Sequence, residues 1–221
     1  IIIDEQHKFG VNQRKKLSDK GGKNCDILLM TATPIPRTLT MTIYGDMDLS
    51  IIHEKPKMRK PVKTYSKLES KIDDIIKFIN KETQLGNQIF WVCPLIEESK
   101  KIDHTSAVKK SEYLKKIFPK QVCLLHGKTT IEEKEKILNK FLRNEFKILV
   151  STTIIEVGID FPNANLIIIE NSNKFGLAQL HQLRGRVGRG EKQGNCILLF
   201  KDGLSKNAIK RIKILKKSDD G

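Results

Sequence analysis

Long apolar runs are missing from this chain. No stretch approaches the roughly 20 residues that a helix needs to span a bilayer, and none reads as a signal peptide. Cysteine is sparse. Cys25, Cys93, Cys123 and Cys196 stand singly inside apolar runs, with no metal-ligand spacing, so reduced core thiols of a cytoplasmic chain are expected. Aromatics make up only 6% of residues, too few for base stacking to be a main mode of contact. Acids are in deficit, 26 against 41 lysines and arginines, leaving a net charge of +15. A polyanionic partner, nucleic acid first, is the class of ligand this implies, held through phosphates. Lysine far outnumbers arginine, however, and Ile and Asn are abundant, so general composition bias supplies part of that charge. A phosphate-binding P-loop is also missing. Gly127–Lys128–Thr129 looks like the end of one, but Val122 stands where its first glycine belongs; Gly21–Gly22–Lys23 fails because Asn24 follows. Internal repeats and low-complexity segments are absent as well.

What is present is a globular pattern. The 221 residues, 38% of them hydrophobic, suffice for one or two domains with a sizeable core. Residues 1–53 hold two strand-like runs, Ile1–Ile3 and Ile27–Met30, each ending in a turn with chemistry-bearing side chains. They read as the tail of an α/β domain. Residues 54–61 carry two prolines and four basic residues without apolar periodicity, which makes a linker. From 62 to 221 the chain alternates. Helices near 70–85, 106–117, 131–143, 176–184 and 205–217 are interleaved with apolar strands at 89–93, 122–125, 148–151, 166–169 and 196–200. Short all-apolar strands alternating with helices predict a parallel sheet covered by helices on both faces. Thr130–Ile131–Glu132–Glu133 supplies a capping box for the third helix.

Chemistry concentrates in a few segments. Gln182 to Arg189 packs a glutamine, two glycines and three arginines into eight residues. Glycines admit close approach of a ligand, and arginine forks match phosphate geometry. The opening run ends in Asp4 and Glu5, acids at the carboxyl edge of a strand, where open α/β sheets place ligands. The plain alternatives are a basic surface loop and a solvated strand end.

Taken in order, DEQH (4–7), TATPIPRTL (31–39), STTIIEVGIDFPNA (151–164) and QLRGRVGRG (182–190) resemble motifs II, III, V and VI of superfamily 2 helicases. Within that superfamily the chain resembles the RecG family of branched-DNA helicases. TMTIYGDMDLS (40–50), VCPLIEESKKID (92–103), CLLHG (123–127) and FGLAQLHQLRGRVGRG (175–190) extend the likeness over almost the whole chain. The transcription-repair coupling factor Mfd shares two of these blocks. It usually has DEEH where this chain has DEQH, and it lacks CPLIEES.

The resemblance implies a fold: residues 62–221 as a second RecA-like helicase domain, residues 1–53 as the remnant of a first. It also implies ATP and Mg²⁺ as cofactors and assigns roles. Asp4 would hold Mg²⁺ and Glu5 the attacking water. His7, Gly158, Asp160 and Gln182 would serve the nucleotide, with Asp160 facing either the ribose or motif VI. Arg186 and Arg189 would be arginine-finger candidates, while Arg184 would pair with a carboxylate. Thr31, Thr33, Arg37, His126, Gly127, Thr152 and Thr153 would contact or couple to DNA. The implied activity is ATP-dependent unwinding and branch migration at forks and Holliday junctions. A P-loop and a wedge domain would belong to a missing N-terminal half, so the isolated chain is expected to hydrolyse little ATP. An Mfd-type translocase and a non-catalytic nucleic-acid-binding module are the other readings.

Overall fold

β-Branched runs too short for a helix extend, and here they extend in parallel. A computed structural model of the chain describes residues 1–4, 16, 20, 25–31, 48–52, 54, 60–94, 100–152 and 160–217. The chain divides into two units, 1–54 and 55–220. In the first, strand β1 (Ile2–Ile3) pairs in parallel with β2 (Leu28–Leu29), Ile3 opposite Leu29. Ile3 is buried, whereas Ile2 and Leu28 are exposed.

In the second unit six strands form one parallel sheet: β3 (Lys63–Leu68), β4 (Gln88–Val92), β5 (Val122–Leu125), β6 (Ile148–Ser151), β7 (Ala164–Ile169) and β8 (Asn195–Phe200). Their order across the sheet is β3-β8-β7-β4-β6-β5. Among the described residues four α-helices lie between the strands, α1 (Ile72–Gln84), α2 (Lys100–Ile117), α3 (Ile131–Leu142) and α4 (Leu177–Arg184), and α5 (Lys206–Lys217) follows β8. Strand side chains alternate between faces, and both faces are covered. Phe90 and Val92 point with Leu138, Phe141, Leu180 and Leu215 into one core. Ile89, Trp91 and Cys93 point with Ile75, Ile79 and Leu114 into the other. The sheet covered on both faces is therefore present.

The apolar spacing Ile72, Ile75, Ile76, Ile79 lays one stripe of α1 on the sheet. At α3 the capping box forms: Glu133 N–H donates to Thr130 Oγ1 (3.3 Å) and Thr130 N–H to Glu133 Oε2 (3.2 Å). Two boundaries differ from expectation. Helix α2 begins at Lys100, six residues early. Strand β3, KTYSKL, is an addition that its polar composition hides; it lies at the sheet edge with alternate residues exposed, so it needs only one apolar face.

Cys93, Cys123 and Cys196 are core thiols as expected, but Cys25 is half-exposed. Burial pushes the Cys123 and Cys196 thiols up to about 12 from an ordinary 9.0, and raises Cys93 with help from the Glu170 carboxylate beside it. Because the folded values lie above the unfolded ones, this stabilisation is complete below pH 9 and is lost as pH rises towards 12. Urea unfolding measured across that range should show an alkaline decline that a Cys93→Ala/Cys123→Ala/Cys196→Ala variant lacks in part. At neutral pH a thiol reagent should modify Cys25 alone in the native chain; fast reaction at the other three would contradict the burial.

Candidate nucleotide and nucleic-acid site

Parallel pairing puts strand ends side by side. In the first unit Asp4 follows β1 and Thr31 lies two residues past β2, so both stand exposed at the same carboxyl edge. An exposed carboxylate at such an edge suits magnesium, which keeps most of its shell as water and phosphate oxygens and needs only one or two protein carboxylates.

At the carboxyl edge of the six-stranded sheet, β5 and β6 are neighbours with Leu125 opposite Ser151. This brings His126, Gly127 and Thr152 together, and Thr152 N–H donates to the Leu125 carbonyl (3.3 Å). His126 and Gly127 open a tight turn. Thr129 Oγ1 accepts from His126 N–H (3.1 Å), and the His126 carbonyl accepts from Thr129 N–H (3.0 Å). His126 Nδ1 accepts from Lys128 N–H (3.2 Å), which aims the ring along the turn. Gly127 is exposed and His126 half-exposed. The Thr152 hydroxyl is buried and meets no hydrogen-bond partner among the described residues; the same holds for Ser151.

The same edge holds a cluster that motif reading passed over. Glu170, directly after β7, accepts from Trp91 Nε1 (3.0 Å) and the Cys93 thiol (3.4 Å), and pairs with Lys110 of α2 at 3.1 Å. The Lys110 ammonium also lies 5.0 Å from the Trp91 ring centroid. The signal was available: an acid closing the apolar run Leu166–Ile169 repeats the pattern of Ile1–Asp4. Removing the acceptor leaves a buried indole N–H and a largely buried ammonium without it. Glu170→Ala should therefore cost about 2–4 kcal/mol in urea unfolding, and Glu170→Gln less. A loss under about 0.5 kcal/mol for Glu170→Ala would show that water replaces the carboxylate.

The arginine segment lies at the opposite edge. Helix α4 runs back from the carboxyl edge, and its loop returns the chain to the amino ends of β7 and β8. Gly188 N–H donates to the carbonyl of Ala164, the first residue of β7 (3.1 Å). Gly188 has φ of +66°, and a Cβ there would lie 3.0 Å from Gly194 Cα; at Gly190 a Cβ would lie 2.8 Å from the Pro162 carbonyl oxygen. These glycines let the loop approach its own backbone, so their close-approach role is internal rather than for a ligand. Val187 is buried beneath the loop, Gln182 and Arg186 are half-buried and Arg189 is exposed. Arg189 Nη1 lies 3.7 Å from Asp160 Oδ1, and its Nε donates to the Gly185 carbonyl (3.2 Å). Asp160 thus faces motif VI. It is anchored by the next residue, Phe161, which packs with Phe90 and Phe141 at ring distances of 5.3–5.7 Å. Arg184 is buried; its guanidinium donates to the Leu215 carbonyl (2.8 Å) and lies 3.1 Å from His181 Nδ1.

Glu5, His7, Thr33, Arg37, Thr153 and Gly158 lie outside the described residues. Among the described residues no helix is long and apolar enough to cross a membrane.

A parallel sheet with an arginine loop at one edge and a hydroxyl- and histidine-bearing turn at the other defines a class. The helicase conserved C-terminal domain model matches residues 70–191, more than half of the chain, and the chain belongs to that family. Its relatives narrow this further. It is 48% identical over 223 residues to the ATP-dependent DNA helicase RecG of Bacillus subtilis, covering 100% of this chain and 32% of that protein. To the RecG of Escherichia coli K12 it is 49% identical over 226 residues, covering 100% and 33%. The chain thus spans about a third of the length of these relatives. A solved structure of RecG bound to a three-way DNA junction superposes with a TM-score of 0.78 at 43% identity, covering 100% of this chain and 28% of that one. S. cerevisiae Dbp5 bound to RNA and ADP BeF3 superposes with a TM-score of 0.71 at 21% identity, a likeness of fold alone.

Proposed function

We propose that this chain is the C-terminal portion of an ATP-dependent DNA motor that acts on branched DNA, at forks and Holliday junctions, in the bacterial cytoplasm. The observation that carries the reading is the arginine loop, packed through its glycines against its own backbone, with Arg189 beside Asp160. The full-length likeness to RecG supports it. The sheet's own ligand edge is the carboxyl one, so arginines at the amino edge serve phosphates bound elsewhere. Arg186 and Arg189 would stabilise the charge that develops on the γ-phosphoryl group. Asp4 would hold a magnesium ion, whose chemistry is to neutralise the phosphates, with Glu5 orienting water and His7, Gly158 and Gln182 serving the nucleotide. Thr31, Thr33, Arg37, His126, Gly127, Thr152 and Thr153 would contact DNA or couple to it. The P-loop, which this sequence lacks, and the wedge would come from an N-terminal half.

A test is ATP hydrolysis with forked duplex DNA, by the chain alone and mixed with a separately made N-terminal portion carrying the P-loop. Activity only in the mixture, abolished by Glu5→Gln, is expected. A second reading is a non-catalytic nucleic-acid module; associated but silent portions would leave that or a degenerate remnant.

A further inference from the structure

Helix α5 divides its surface between two tasks. Its inner face is fixed. Ala208, Ile212 and Leu215 are buried. Arg211 donates from Nη1 to the Phe175 carbonyl and from Nη2 to the Asn173 carbonyl (both 3.0 Å), and Arg184 of α4 donates to the Leu215 carbonyl (2.8 Å). The outer face is a shallow open groove lined by Lys206, Ile209, Lys210, Lys213, Ile214 and Lys217. The four lysines recur at i, i+4, i+7 and i+11, one strip along the helix about 16 Å long. Lys216 is off the strip and reaches Ser66 Oγ on β3 (3.4 Å).

The helix KNAIKRIKILKK contains no carboxylate, so like charges at i, i+4 repel one another without relief from their own helix. A linear cationic strip on a rigid mount calls for a linear polyanion. A membrane surface fits less well. The apolar face such a helix would insert is already spent on the core, and only Ile209 and Ile214, each 39% exposed, remain outside. A protein partner fits less well too, because lysine is depleted at protein interfaces and the strip has no aromatic anchor. We propose that the outer face of α5 lies along the phosphate backbone of duplex DNA, as a sequence-independent contact separate from His126 and Thr152. This rests on the reading of the chain as part of a DNA motor. Through Arg184, which belongs to the arginine segment, the same contact would bear directly on α4.

The test is the salt dependence of duplex binding by the 221-residue chain and by a Lys206→Gln/Lys210→Gln/Lys213→Gln/Lys217→Gln variant. Each phosphate contact contributes about 0.9 to the slope of log K against log salt. The variant's slope should be shallower by about 3–4, with weaker binding to every sequence alike, while a fourfold Lys→Arg variant should keep the parental slope. An unchanged slope in the glutamine variant, folded by circular dichroism, overturns the proposal and leaves the motor reading standing. Should the parent chain bind no duplex even at low salt, both fall. Tighter capture by phosphatidylserine vesicles than by DNA, lost in the glutamine variant, would overturn it in favour of a lipid surface.

Discussion

Arg189→Ala in the assembled motor should slow ATP hydrolysis by roughly 10³–10⁵, the range seen when an arginine finger is withheld. Duplex binding should be nearly unchanged. That loss corresponds to about 4–7 kcal/mol of barrier. The side chain's present partners do not compete with it. Its ion pair with Asp160 is long, 3.7 Å, and the side chains are 30% and 60% exposed, and pairs of that kind contribute about 0–1 kcal/mol. Arg189 can therefore leave Asp160 for a phosphate at small cost, and Asp160→Asn should have a far smaller effect on hydrolysis than Arg189→Ala. Arg189→Lys should not restore the rate, because an ammonium lacks the planar fork. Arg186→Ala is the companion measurement. If both alanine variants hydrolyse ATP within tenfold of the parent, neither residue is a finger.

Gly188→Val should destabilise the fold itself, by about 2–6 kcal/mol. A non-glycine residue at positive φ costs roughly 1–3 kcal/mol, and forcing atoms into a packed site adds a similar amount. Here the obstacle is main chain: Gly194 Cα at 3.0 Å and its nitrogen at 3.1 Å. A backbone cannot swing aside as a side chain can. In a chain of this length the change should lower the thermal midpoint by about 4–24 °C. Gly203 is the control. Its φ is +83° but its surroundings are open, so Gly203→Ala should show the dihedral cost alone. Equal losses at the two positions would mean that the contact with Gly194 contributes nothing.

The alternating elements of the second unit could be read from the sequence because each strand is a short apolar run and each helix carries an apolar stripe. The reading failed where that logic does not apply. Strand β3 is half polar because it lies at the edge and buries one side only. Helix α2 starts early because its first turn, Lys100–Asp103, carries little apolar signal. The grouping of Asp160 with Arg189 was half legible: a likeness to known motifs offered motif VI as one of two facings for Asp160, and the structure places the two side chains 3.7 Å apart. The internal role of the motif glycines was not legible, since spacing cannot tell a backbone that approaches a ligand from one that approaches itself. Glu170 escaped for a different reason. Its partners Trp91, Cys93 and Lys110 lie 60–79 positions away along the chain, and the parallel register of β4 and β7 together with the packing of α2 on the same core brings them within reach.

Helix α4 is eight residues long, about 12 Å. Its start follows the turn after Glu170, and its end delivers the arginine loop. Leu180, Leu183 and Arg184 lock it into the core. So short a rod, gripped on one side, has no internal joint at which to bend. The place of the arginine loop at one rim is therefore set by the same rod that begins at the other.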